Sequence, residues 1–90
     1  MRTLDWVVEI HLDEDDDSTH ARAVLCSRDG RLLSARGLAR RNPHDAVVPE
    51  IGEEVAAARA LMVLADELMD VAEKDVENLS HPISAEPDAR

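Results

Sequence analysis

Residues alternate between two sides from Trp6 to Leu12, with Trp6, Val8, Ile10 and Leu12 on one and Val7, Glu9 and His11 on the other. That period of two predicts a strand with one buried face. Thr19 to Ser27 repeats it with Ala21, Ala23 and Leu25. Pairing the two segments across the acidic stretch places Ile10 beside Ala21, Val8 beside Ala23, Trp6 beside Leu25 and Glu9 opposite Arg22. In Ser27-Arg28-Asp29-Gly30-Arg31 the glycine can take the left-handed conformation that closes a three-residue hairpin loop. This loop length sets Leu33 beside Leu25, Ala35 beside Ala23 and Gly37 beside Ala21, in a third strand from about Leu32 to Arg41. The small inward residues Ala35, Gly37 and Ala39 let a helix lie close. The other face is expected to carry a column of Glu9, Arg22 and Arg36 and a second of His11, His20 and Leu38, alongside Val7 and Val24.

Asn42-Pro43 breaks the third strand, and Pro49 opens a helix where its missing N–H costs nothing. Glu50, Glu53 and Glu54 in the first turns complement the helix dipole. From Pro49 to Leu79 the residues Ile51, Val55, Ala58, Met62, Ala65, Met69, Ala72, Val76 and Leu79 recur every three or four positions, a heptad-like seam. Leu61, Leu64, Leu68 and Val71 form a second seam beside it, and together they span an apolar arc of about 200° at about 100° per residue. Arg59, Asp66, Asp70, Glu73, Lys74 and Glu77 occupy the rest.

One small sheet does not cover such an arc. Some 30 helical residues reach about 45 Å, against about 27 Å for an eight-residue strand. Self-association through Leu61, Leu64, Leu68 and Val71, in a homodimer, is the expected remedy for a domain near the lower size limit for a self-sufficient core. A helix that bends or ends near Val71 beneath a covering loop is the alternative arrangement. Residues 1–79 form the expected domain, and 80–90, with Pro82 and Pro87, a disordered tail.

The chain has 90 residues, a net charge of −10 and one cysteine. Residues 1–41 hold 8 acidic and 7 basic side chains, whereas 42–90 hold 12 and 3. The acidic half repels phosphate, so the helix argues against a nucleic-acid partner, and Arg36, Arg40 and Arg41 are left as alternative phosphate contacts. Without Phe or Tyr there is no stacking platform for a single strand. Lone Cys26 excludes an internal disulfide and fits a reducing, cytoplasmic setting; neither a leader nor a membrane span is apparent.

Candidate chemistry is sparse. Asp13 to Ser18 offers carboxylates at alternate positions, as a calcium loop would, but lacks the sixth-position glycine and has Val24 where a bidentate Glu belongs. His11 and His20 could face each other across the first hairpin, yet no nearby ligand completes a tetrahedral metal set. Cys26 and Ser27 have no motif-defined base. His44 and Asp45, near Arg40 and Arg41, could line a polar cleft, an arrangement more often structural than catalytic. No catalytic residue, cofactor or metal is implied, and the chain reads as a non-enzymatic interaction protein for which an unidentified protein partner is also compatible.

Ala39-Arg40-Arg41-Asn42-Pro43, then Val48-Pro49-Glu50-Ile51-Gly52-Glu53-Glu54 and Ala57-Ala58-Arg59-Ala60-Leu61, following a Trp6-led strand, resemble a family of small actinobacterial proteins of unknown function. The resemblance covers roughly Asp5 to Leu79. It implies an α+β fold like that of double-stranded-RNA-binding domains, a three-stranded antiparallel meander packed on one long C-terminal helix. It does not imply RNA binding. Those RNA-binding domains precede the sheet with a helix and begin the last helix with lysines; this chain starts on a strand and has Glu50, Glu53 and Glu54 there.

Overall fold

The structure, a computed structural model, describes residues 1–27, 30–44 and 46–80. The strands β1 (Val7–Glu14), β2 (Ser18–Cys26) and β3 (Leu32–Arg40) form an antiparallel meander in the order β1-β2-β3, followed by the helix α1 (Pro49–Ser80). The architecture is the expected β-β-β-α. The expected tail, apart from Ser80 at the end of α1, lies outside the described residues.

The second hairpin is as expected. Leu25 pairs with Leu33, Ala23 with Ala35 and Ala21 with Gly37. Gly30 sits at φ 84°, where a side chain would be strained, and its N–H donates to the Ser27 carbonyl at 3.1 Å. The first hairpin differs. Val8 pairs with Leu25, Ile10 with Ala23 and Leu12 with Ala21, a shift of two residues. Both strands run further into the acidic stretch, and the turn closes over Asp15, Asp16 and Asp17, where the Asp15 N–H donates to the Ser18 carbonyl at 2.8 Å. A two-residue shift preserves the face of every side chain, so hydrophobic pattern does not discriminate between the two registers. It also rearranges the outer face. His11, rather than Glu9, stands opposite Arg22, and His20 faces Asp13. Arg22 still opposes Arg36, so that like-charge pair lacks the carboxylate expected directly alongside.

The core is built from small residues. Ala21, Ala23, Ala35, Ala39, Ala56 and Ala60 pack with Leu25 and Leu64. A Cβ added to Gly37 would stand 2.4 Å from both the Ala56 carbonyl and the Ala60 nitrogen, so the helix crosses β3 backbone against backbone. At its start, Gly52 permits a similar approach to the buried Thr19, whose Oγ1 would lie 2.9 Å from an added Cβ.

This close crossing selects the face of the helix that is buried. Ala56, Ala60 and Leu64 point into the sheet, with Leu68 and Val71 half-buried beside them. The heptad-like seam faces outward instead: Ile51, Met62, Met69, Val76 and Leu79 are exposed, and only Val55 of that seam packs against the core. Both seams carry apolar residues at helical spacing, but the face that fits against Gly37 is that of Ala56 and Ala60, which belong to neither seam, continued by Leu64 of the second. The helix continues past Val71 without a break, and 72–79 are all exposed, as an overhanging rod requires.

Candidate interaction surface

The helix packs on β2 and β3 and scarcely touches β1. Every residue of β1 is consequently exposed. Val8, Ile10 and Leu12 are the cross-strand partners of the buried Leu25, Ala23 and Ala21, so they lie on the helix side of the sheet. Even so they keep 42, 38 and 41% of their surface in solvent. A face that the alternation marks as core is therefore open in the protomer. This is a correction to the expectation that the first strand buries its face of Trp6, Val8, Ile10 and Leu12. A helix is about as wide as two strands, and the small residues Ala35, Gly37 and Ala39 draw it to the β3 side.

The helix extends the open surface. Leu61 and Arg59 are about 200° apart on the helical wheel and so lie on opposite flanks. Arg59 reaches over the β3 edge, where its Nη1 donates to the Leu38 carbonyl at 2.7 Å. Leu61 is on the flank toward β1 and is 40% exposed. Further along, a trough of about 720 Å³ runs between this flank and the segment before β1, lined by Leu4, Trp6, Leu33, Leu68, Met69 and Ala72. An ion pair between Arg31 and Asp75, 3.8 Å apart and exposed, ties the second hairpin to the helix at its rim. Trp6, Val8, Ile10, Leu12 and Leu61 thus all leave apolar surface exposed on the β1 side of the helix.

The four residues expected to mediate self-association divide accordingly. Leu61 is on the surface. Leu64, at 5% exposure, belongs to the protomer's own core and is not available to a partner, and Leu68 and Val71 are half-buried at the trough. Sequence reasoning missed the β1 face as an open surface. The signal was present in the contrast between large inward residues on β1 and Ala or Gly on β3.

The three candidate phosphate contacts are not brought together. Arg36 and Arg40 are exposed on the face away from the helix, Arg36 opposite Arg22 and Arg40 opposite Ser18. Arg41 turns elsewhere: its Nη2 donates to Asp17 Oδ1 at 2.6 Å, and its Nη1 to the carbonyls of Asn42 and Pro43. This network anchors the connector to the first hairpin and uses the arginine internally. Beside it, a cleft of about 430 Å³ opens between the end of β3 and the helix start. Its lining includes Val47, Val48, Ile51 and Val55 as well as Arg40 and Arg59, so it is less polar than expected. His44 is exposed, with its N–H donating to Asn42 Oδ1 at 3.0 Å; Asp45 lies outside the described residues.

At the far end of β1, Glu14 meets Glu53 of the helix. A hydrogen bond with Glu14 raises the Glu53 pKa above its ordinary 4.5, reinforced by desolvation and by repulsion from Glu14, Glu50 and Glu54. His11 and His20 are not cross-strand neighbours; His11 Nε2 lies 3.5 Å from Glu9 Oε1 on its own strand. Among the described residues no three His, Cys, Asp or Glu side chains converge as metal ligands, and no helix is long and apolar enough to cross a membrane.

The chain belongs to the Rv2632c-like family, whose model matches residues 4–85; this is a small actinobacterial family of unknown function. It is 43% identical over 76 residues to the uncharacterised protein Mb1767 of Mycobacterium bovis, covering 84% of this chain and 80% of that one. It is 40% identical over 74 residues to the uncharacterised protein Rv2632c of Mycobacterium tuberculosis, covering 82% and 78%. The crystal structure of Rv2632c superimposes with a TM-score of 0.83 at 35% identity, over 92% of this chain and 98% of that one.

Proposed function

We propose that this member of the Rv2632c-like family is a non-enzymatic interaction protein that acts as a homodimer, with the second copy docked on the β1 side of the protomer. One observation carries this reading: Val8, Ile10 and Leu12 lie on the helix side of the sheet with the helix displaced from them. Fully burying a residue of this kind is worth about 1.5 to 3 kcal/mol, so covering what remains exposed adds about 1 kcal/mol for each. That matters in a protomer whose core is largely alanine, in which no large side chain is fully buried among the described residues.

Replacing Ile10 with Asp tests the reading. The side chain is exposed in the protomer, so the helical circular dichroism should persist while the mass falls from two chains to one. A variant with the parent's mass would overturn it. Phosphate binding through Arg36 and Arg40 is weakened as an alternative, because Arg41 is committed to Asp17. A salt-sensitive shift of duplex RNA or DNA, lost on replacing Arg36 and Arg40, would restore it.

A further inference from the structure

We infer that the second copy joins through the free edge of β1, extending the meander into a six-stranded antiparallel sheet with a two-fold axis at Ile10. The inference rests on the proposed dimer and specifies its geometry.

It starts from the phase of the backbone ladders. Ser27 donates to the Arg31 carbonyl at 3.0 Å and Arg41 to the Asp17 carbonyl at 2.8 Å, so the odd-numbered residues of β2 bond to β3. Successive residues direct their backbone groups to opposite sides, so the even-numbered residues of β2 bond to β1. Their partners there are Val7, Glu9, His11 and Asp13. Val8, Ile10, Leu12 and Glu14 therefore present their N–H and C=O groups to the open edge. The same phase turns the Leu38 carbonyl outward from β3, where Arg59 caps it at 2.7 Å. One edge of the sheet is thus guarded by a charged side chain. β1 carries neither proline nor lysine, the usual means of guarding an exposed edge.

Side-chain chemistry then chooses the register. An odd shift would set inward apolar residues against outward polar ones and is excluded. Four symmetric registers match the free backbone groups and pair at least five residues of each β1. A two-fold at Leu12 sets the inward Ile10 against the partner's Glu14. A two-fold at Glu9 opposes Glu9 to the partner's Glu9. A two-fold at His11 opposes Glu9 to the partner's Asp13. A two-fold at Ile10 sets Ile10 against the partner's Ile10, Val8 against the partner's Leu12, and Glu9 against the partner's His11. This last register has no like-charge pair, sets apolar residues against apolar ones on the helix side, and gives each Glu9 an imidazole that can donate to it. Its axis stands perpendicular to the sheet, so both helices lie on one face. Their Leu61 flanks turn toward each other across a shared floor of Val8, Ile10 and Leu12.

Cross-linking with single cysteines reads the register directly. Glu9 and the partner's His11 would form a non-hydrogen-bonded pair with Cα atoms about 4.5 Å apart, within disulfide range. In a Cys26→Ser background, Glu9→Cys and His11→Cys are oxidised separately and as an equimolar mixture. The expected result is a two-chain band from the mixture and none from either variant alone. A band from Glu9→Cys alone or His11→Cys alone would overturn the register. No band anywhere, with the parent still weighing two chains, would overturn edge pairing and leave the dimer standing. A parent that weighs one chain would overturn both.

Discussion

Gly37 and Ala60 meet with no room between them: a Cβ on the glycine would stand 2.4 Å from the Ala60 nitrogen. Contact between β3 and the helix at this point determines which face of the helix is buried and, by drawing the helix toward β3, leaves β1 open.

Gly37→Ala should therefore push the helix from the sheet. Overpacking of this kind costs about 1 to 3 kcal/mol, a large share of the stability of so small a domain. Thermal unfolding followed by circular dichroism should show a clear fall in midpoint. An unchanged midpoint would mean that the helix has freedom to move away.

Leu64 and Leu61, three positions apart on the same helix, should respond differently. Leu64→Ala removes a buried side chain and should destabilise the protomer by about 2 to 5 kcal/mol. Leu61→Asp should leave unfolding of the protomer nearly unchanged and weaken association. Denaturant titration well below the association range, combined with mass measurement above it, separates the two effects.

Arg59→Ala removes the cap from the Leu38 carbonyl at a small cost to the protomer, about 1 kcal/mol for an exposed hydrogen bond. Its larger effect should be on assembly, since a second sheet edge becomes available for pairing. Light scattering should detect species larger than a dimer. Their absence at high concentration would show that the edge of β3 is protected by other means.

Glu53 predicts a pH dependence with a definite sign. Its folded pKa is raised, chiefly by the hydrogen bond with Glu14, so the folded state holds this proton more tightly than the unfolded chain does. The contribution favours folding below the ordinary value of 4.5 and is lost as pH rises through the elevated folded value. Glu53→Gln keeps the hydrogen-bonding group without the charge. It should raise stability at neutral pH, with the gain shrinking as the parent's Glu53 becomes protonated. An equal gain at both ends of the titration would show that repulsion at this pair is not its source.

The order of elements, the boundaries of the helix and the second hairpin were legible because strong local signals agreed: Gly30 in the turn, Pro49 at the helix start, and small residues along β3. The first hairpin was less so. Asp15, Asp16 and Asp17 carry no glycine or proline to mark the turn, and slipping the pairing by two residues keeps Val8, Ile10 and Leu12 on the same face. The buried face of the helix was hidden for a different reason. Each seam has helical periodicity, yet the buried face runs through Ala56 and Ala60, which belong to neither, because it is selected by a tertiary fit between Gly37 and Ala60. The roles of Arg59 and Arg41 likewise arise from contacts across more than 20 residues, 21 to Leu38 and 24 to Asp17, which spacing does not reveal.

Sedimentation equilibrium of the full chain from micromolar to millimolar concentration tests the central claim most directly. A mass of two chains, declining toward one on dilution and reduced to one by Ile10→Asp, is the predicted result. A mass of one chain at every concentration would mean that water alone covers Val8, Ile10 and Leu12, and would contradict it.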